Sequence, residues 1–187
     1  YGEAARLILA ESGDAVAHLG SVADYVEVEQ RFERAVDGAL GDLLQHVVVR
    51  THEDAAAGLA FVRERAAGRV GFLVVGDASP AEAVRALVTE IDIAETREEA
   101  RAMALETGRT AATLDGDVFR GAHRVEGGAR GEARSILTTK REIKELRERA
   151  ETDDATLGRL REEAGNLEVA IAAAESAISS LQGELHR

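Results

Sequence analysis

The fold is decided by "VVVRTHEDAAAGLAFVRERAAGRVGFLVV", residues 47–75, read beside "IDIAETREEARAMALETGRTAATLDG", residues 91–116. Each stretch opens on a short apolar run, turns at a Thr, continues through an alanine-rich helical pattern, and meets a Gly-Arg pair before apolar or β-branched residues resume. A short β-branched run such as Val47-Val48-Val49 is a strand signal. Thr51 and Thr96 stand where an N-cap belongs, each followed by acidic residues that suit the positive end of a helix. Thr96 with Glu99 has the capping-box spacing. Gly68 and Gly108 stand where each helix should stop. The expectation is an internal pseudo-repeat: two lobes, each built on a strand–helix–strand unit, with "VGFLVV" (70–75) as a buried strand and the first helix reaching about residue 67. Two unrelated units with similar caps remain the alternative.

Working outward, the 187-residue chain contains one further clear helix before the first unit. Phe32, Ala35, Val36, Ala39 and Leu40 recur at helical spacing and Gly41 closes the pattern. The "TLDGD" segment, 113–117, reads as a tight turn around Gly116. Beyond residue 134 the composition shifts to Glu, Arg, Leu, Ile and Ala. With Ile136 at heptad position a, the a and d positions run from Ile136 to Leu185, and thirteen of these fifteen are apolar. That 3.5-residue spacing is the seam of a coiled coil, which needs a second helix against it. Asp153 at a d position marks an expected weak point or break in that arm.

Composition excludes several functions. The absence of Cys removes disulfides, thiol catalysis and cysteine zinc sites. No run approaches the ~18 apolar residues of a membrane-spanning helix, and no signal-peptide pattern opens the sequence, so a soluble intracellular protein is expected. The net charge of −12 excludes a uniformly basic surface. It does not exclude a local one: residues 1–60 carry 4 basic and 11 acidic groups, whereas residues 120–149 carry nine basic and five acidic ones. Aromatic residues are 3% of the chain, which argues against base stacking and sequence-specific single-strand recognition. The five His are scattered; His46 and His52 near Glu53 and Asp54 lack a recognised metal-ligand spacing, so no metal site is expected. No catalytic constellation is legible either. "GGARG", 127–131, lacks the Lys-Ser/Thr ending of a phosphate-binding loop.

The order of these features resembles the hinge region of SMC (structural maintenance of chromosomes) proteins, followed by the start of the outgoing coiled-coil arm. The resemblance rests on "GSVADYVEVEQRFERAVDGALGDLLQHVVVRTHEDAAAGLAFV" (20–62), "GRVGFL" (68–73), "IAETREEARAMA" (93–104) and "TLDGDVFRGAHRVEGGARGEARSILTTKREIKEL" (113–146). It covers nearly the whole chain. Its most specific parts are the Ala-Leu-Gly-Asp turn, the Leu-Asp-Gly-Asp turn and the Gly-Gly pair leading into Lys-Arg-Glu-Ile. One departure is the short stretch "VGDASPAEAVRALV", 75–88, where SMC hinges usually carry a longer inter-lobe segment.

The resemblance implies an α+β, two-lobed hinge over 1–131, with lobes of about 1–77 and 78–131, and a coiled-coil arm over 132–187. It implies a non-enzymatic module of a chromosome condensation and segregation ATPase, in the cytoplasm at the nucleoid. Its first partner would be a second identical hinge, met through Gly121, Gly127 and Gly128. Duplex or single-stranded DNA would bind without sequence preference near the hinge–coil junction, through Arg120, Arg124, Arg130, Arg134, Lys140, Arg141 and Lys144. The arm would pair with an antiparallel helix not in this sequence. ATP, Mg and kleisin-type subunits would belong to head domains, so the hinge itself would hold no cofactor. Against DNA stands the ordinary reading of a solvated coil surface, with Glu142, Glu145 and Glu148 pairing to Lys and Arg at helical spacing. A small α/β nucleotide-binding domain or enzyme with a coiled-coil tail is the competing function. A zinc-hook ATPase of DNA repair is disfavoured by the missing Cys.

Overall fold

The computed structural model describes residues 2–128 and 136–185. Two units separate by contacts, 1–140 and 141–187. The first is α+β with two sheets. Its elements are α1 (Glu3–Glu11), β1 (His18–Ser21), α2 (Glu33–Leu40), β2 (Val47–Val49), α3 (His52–Glu64), β3 (Phe72–Val74), α4 (Pro80–Thr89), β4 (Ile91–Ala94), α5 (Arg97–Thr107), β5 (Thr110–Thr113), β6 (Val118–Arg120) and β7 (Arg124–Glu126). A 50-residue helix, α6 (Ile136–Leu185), begins in the first unit and makes up the second.

The two repeat units have the expected plan. β2 pairs with β3 in parallel across α3, and β4 pairs with β5 in parallel across α5. Both helices open on full capping boxes, Thr51 with Asp54 and Thr96 with Glu99. Each box satisfies helix N–H groups that have no intrahelical partner. The units differ in what surrounds them. β1 joins antiparallel to β2, giving the order β1-β2-β3. The second sheet continues on the other side, through antiparallel β6 and β7, in the order β4-β5-β6-β7.

The lobes are stitched together by exchanged helices. On one face of the first sheet, Val47 and Val49 meet α1 and α3. On the other, Val48 packs with Val84 of α4, a helix from the second half of the sequence. The second sheet has α5 on one face, where Ala100 and Ala104 meet Ala111 and Phe119. Its other face takes α2 from the first half, with Ala35 and Ala39 against Ala112 and Val118. A division at residue 77 thus separates the sheets but not the helices that cover them. Gly38 of α2 permits this docking: a Cβ there would lie 2.7 Å from the carbonyl oxygen of Gly116.

Three expectations are corrected. The run 70–75 is not a buried strand. Only Phe72–Val74 forms β3, and its side chains are half-exposed because the strand lies at the sheet edge. The helix expected to reach residue 67 ends at Glu64, and Ala66 turns it with φ +51°. The arm shows no break at Asp153; α6 is continuous across it. The short inter-lobe stretch is itself ordered as α4, with Pro80 at its start and Ser79 and Glu82 forming its capping box. No helix among the described residues is long and apolar enough to cross a membrane.

Candidate functional site

The β6–β7 hairpin with its flanking turns and the start of α6 hold the described residues singled out from the sequence. At the second sheet, β6 and β7 form a hairpin with Arg120 opposite Arg124, Phe119 opposite Val125 and Val118 opposite Glu126. β4 and β7 are the edge strands of this sheet and β1 and β3 those of the other, so each of the four lacks a second neighbour among the described residues. An unpaired edge carries free N–H and C=O groups and is a template for another strand. Val125, on the α5 face beside Phe119, is 67% exposed, which is unusual for a branched apolar side chain on an edge.

The three glycines of the expected interface each have an intramolecular reason. Gly121 opens the β6–β7 turn with φ +55°, and Gly128 follows β7 with φ +98°. Both angles lie in the region that favours glycine. Gly127 leaves room for Asp117, whose Oδ1 occupies the place of a Cβ. Asp117 in turn accepts from Arg97 Nε at 2.5 Å, and its carboxylate holds that guanidinium above its ordinary pKa.

The described basic residues differ in how far the fold engages them. Arg120 is half-buried: Nη2 donates to the Ala39 carbonyl at 2.6 Å and Nη1 to Thr110 Oγ1 at 3.3 Å. It therefore ties β6 to the end of α2. Arg124 is exposed and paired with Glu126 two residues along β7. Lys140 is half-buried against Asp24, and Arg141 pairs with Glu145 one turn along the arm. Lys144 is exposed. Arg130 and Arg134 lie outside the described residues. No group of three or more His, Asp or Glu able to hold a metal occurs among the described residues.

Residues 16–94 match the family model described as SMC proteins Flexible Hinge Domain. The chain is 35% identical over 158 residues to the chromosome partition protein Smc of Myxococcus xanthus, covering 68% of this chain and 13% of that protein. It is 31% identical over 75 residues to the Smc of Halothermothrix orenii, 40% of this chain and 6% of the other. This chain carries an SMC hinge domain. It spans only a small part of the curated relatives it matches. The fold agrees: an asymmetric dimer of the Geobacillus stearothermophilus SMC hinge domain superposes with a TM-score of 0.69 at 22% identity, covering 86% of this chain and 78% of that one. The Pyrococcus furiosus Smc hinge domain with an extended coiled coil gives 0.58 at 22% identity, over 90% of this chain and 68% of the other.

The root of the hinge's arm was missed from sequence. Leu137 is buried with Val36, Leu40 and Leu44, so the first turn of α6 is part of the hinge core. Thr138 donates to Glu33, which is itself buried. Asp24 serves twice: it pairs with Lys140 and accepts from the Ser21 N–H at 2.6 Å and hydroxyl at 2.7 Å. Burial pushes the Lys140 ammonium down to about 8. The heptad pattern could have flagged Leu137, because an apolar residue next to position a lies off the seam and needs another surface.

Proposed function

We propose that this hinge joins two identical chains of an SMC chromosome-partition ATPase, and so links two coiled-coil arms into a ring-like dimer. The observation that carries this reading is an open edge strand in each sheet, β3 and β7, the latter with the exposed Val125, on a fold that superposes on an SMC hinge described as a dimer. Pairing across such edges satisfies backbone groups on both copies and buries Phe72, Val74 and Val125. The glycines Gly121, Gly127 and Gly128 let β7 and its turns present backbone closely to the partner. The arm's apolar seam from Ile143 to Leu181, exposed throughout this chain, takes an antiparallel helix of the full-length protein.

Sedimentation equilibrium at micromolar concentration tests the first step. The expected mass is twice 19.9 kDa. Val125→Lys is the cleaner interface variant, since substitution at Gly127 would drive a side chain into Asp117 and confound folding with association. It should yield a monomer with an unchanged circular dichroism spectrum; an unchanged dimer rejects the β7 edge as the contact.

DNA contact near the hinge–coil junction belongs to the same proposal. Its support is the local excess of basic residues in 120–149. Phosphate neutralisation by these side chains would be independent of sequence and steeply salt-dependent. Arg124 and Lys144 are the exposed candidates among the described residues, whereas Arg120 and Lys140 are engaged inside the fold. Arg124→Glu with Lys144→Glu should weaken duplex binding and flatten its salt dependence. The heads, their ATP and Mg, kleisin-type subunits and nucleoid location complete the reading for the full-length protein.

A further inference from the structure

We propose that Arg97 and Asp117 are positioning residues for the β7 edge: their ion pair straps the end of β7 to the start of α5 and holds that edge ready for a second copy of this chain. The proposal rests on the reading of β7 as the dimer contact, and deepens it. β7 is three residues long, and β6 alone flanks it among the described residues. An edge strand that short frays, and a partner strand that pairs with it must first order it.

The register places the strap. Val118 stands opposite Glu126, so Asp117 and Gly127 come next along the hairpin. Side chains alternate along a strand, which puts position 117 on the same face as Phe119 and Val125, the α5 face. There the Asp117 Oδ1 lies over Gly127, in the place a Cβ would take. From that position the carboxylate accepts from Arg97 Nε at 2.5 Å. The Asp117 side chain is mostly buried, whereas that of Arg97 is 72% exposed. Arg97 does not serve its own helix. It is the first residue of α5, directly after the Thr96 cap and before Glu98 and Glu99. The two acids suit the positive end of the helix dipole, and a cation there opposes it. The charge at position 97 is therefore accounted for by Asp117 and not by α5. A pair with one exposed partner adds little to the stability of a chain. It counts in association, because an edge ordered in advance removes the ordering cost from binding.

Sedimentation equilibrium of the native chain and its variants reads the dimer dissociation constant. Urea midpoints read stability in the Val125→Lys background, where dimerisation makes no contribution. Arg97→Gln and Asp117→Asn should each raise the dissociation constant about tenfold, because the edge is no longer ordered in advance. Together they should raise it no further than either alone, since each removes the same pair. Arg97→Lys keeps a cation within reach of Asp117 and should stay within about threefold of the native chain. In the Val125→Lys background, Arg97→Gln should leave the urea midpoint unchanged or slightly raised, because a cation leaves the positive end of α5. Amide exchange across residues 124–127 should quicken in that same variant. A monomeric native chain, or a dimeric Val125→Lys, overturns the dimer reading and this proposal with it. A native dimer that Val125→Lys breaks, while Arg97→Gln and Asp117→Asn associate as the native chain does, overturns this proposal alone. So do additive losses in the double variant, Arg97→Lys as weak as Arg97→Gln, or a lowered urea midpoint in the Arg97→Gln monomer, which would make the pair a general brace of the fold.

Discussion

Val47, Val48 and Val49 fill the first sheet with branched side chains, whereas the second sheet presents Ala111 and Ala112 on its own inner strand. The consequence is spacing. Helices can approach an alanine surface closely, and α2 and α5 do so with Ala35, Ala39, Ala100 and Ala104. The branched side chains of the first sheet pack instead against larger residues, Phe61 and Ile8 among them. The two units therefore share one chain plan but tolerate change differently. A tight alanine packing has little room to yield, while a packing of larger side chains at a sheet edge can shift.

Helix glycines in the two lobes give the largest test of that difference. Gly38 of α2 faces backbone, with the Gly116 carbonyl oxygen 2.7 Å from an added Cβ. Gly58 of α3 faces the ring of Phe72, a half-exposed edge residue. An exposed helical Gly→Ala change ordinarily gains up to ~1 kcal/mol. Gly38→Ala should instead lose about 2 kcal/mol, because the backbone of the turn cannot move aside. Gly58→Ala should fall within about 1 kcal/mol of neutral, since the whole Phe72 side chain, half-exposed on an edge strand, can swing about χ1. Urea denaturation midpoints read both, and equal losses would break the contrast. Next in size, Val84→Ala should cost about 2 kcal/mol, having no exposed surface and packing on Val48. Its signature is local: amide-exchange protection should fall first in β2, not in β4. Loss confined to the second sheet would undo the exchange of helices between the lobes.

The helix ends sharpen the comparison at about half that size. α5 ends on Gly108 with φ +70°, and α3 turns at Ala66 with φ +51°. Ala67 donates to the Val62 carbonyl at 3.2 Å, closing a Schellman-type end in which Ala66 takes the left-handed place. Ala66→Gly should stabilise the chain by about 1 kcal/mol, and Gly108→Ala should destabilise it by about the same. Opposite shifts of the melting temperature check the pair. A loss for both would mean that the first unit's αL position is held by something other than strain relief.

The features legible in the sequence were those encoded locally. Thr51 and Thr96 announce their helices through neighbours three residues away, Val47-Val48-Val49 announces a strand, and the heptads from Ile136 onward announce the arm. Ser79-Pro80-Ala81-Glu82 is equally local: its capping box and first-turn proline encode α4. Other features depend on partners distant in sequence. Nothing near Gly38 names Gly116, nothing near Val84 names Val48, and the engagement of Arg120 with Ala39 spans 81 positions. The charge count over 120–149 treated Arg120 and Lys140 as free surface cations, and tertiary packing had already used both. Position in the charge sum carries no information on burial.

The pH-dependent test lies at the arm root, which belongs to neither repeat. The Lys140 ammonium has an ordinary pKa of 10.5 in an unfolded chain and is pushed to about 8 by burial in the folded one. Between those values the unfolded chain binds more protons than the folded one, so stability rises with pH across that window. Below it, the folded state carries a half-buried cation, and the Asp24 carboxylate beside it works against the shift. The stability difference between the native chain and Lys140→Met should therefore move in favour of the native chain as pH goes from 8 to 10.5. Parallel urea titrations of the two proteins measure it. A flat difference would mean that Asp24 cancels the burial, making the arm root an ion pair with no pH response; a rise would show that the folded root holds its charge at a cost that deprotonation relieves.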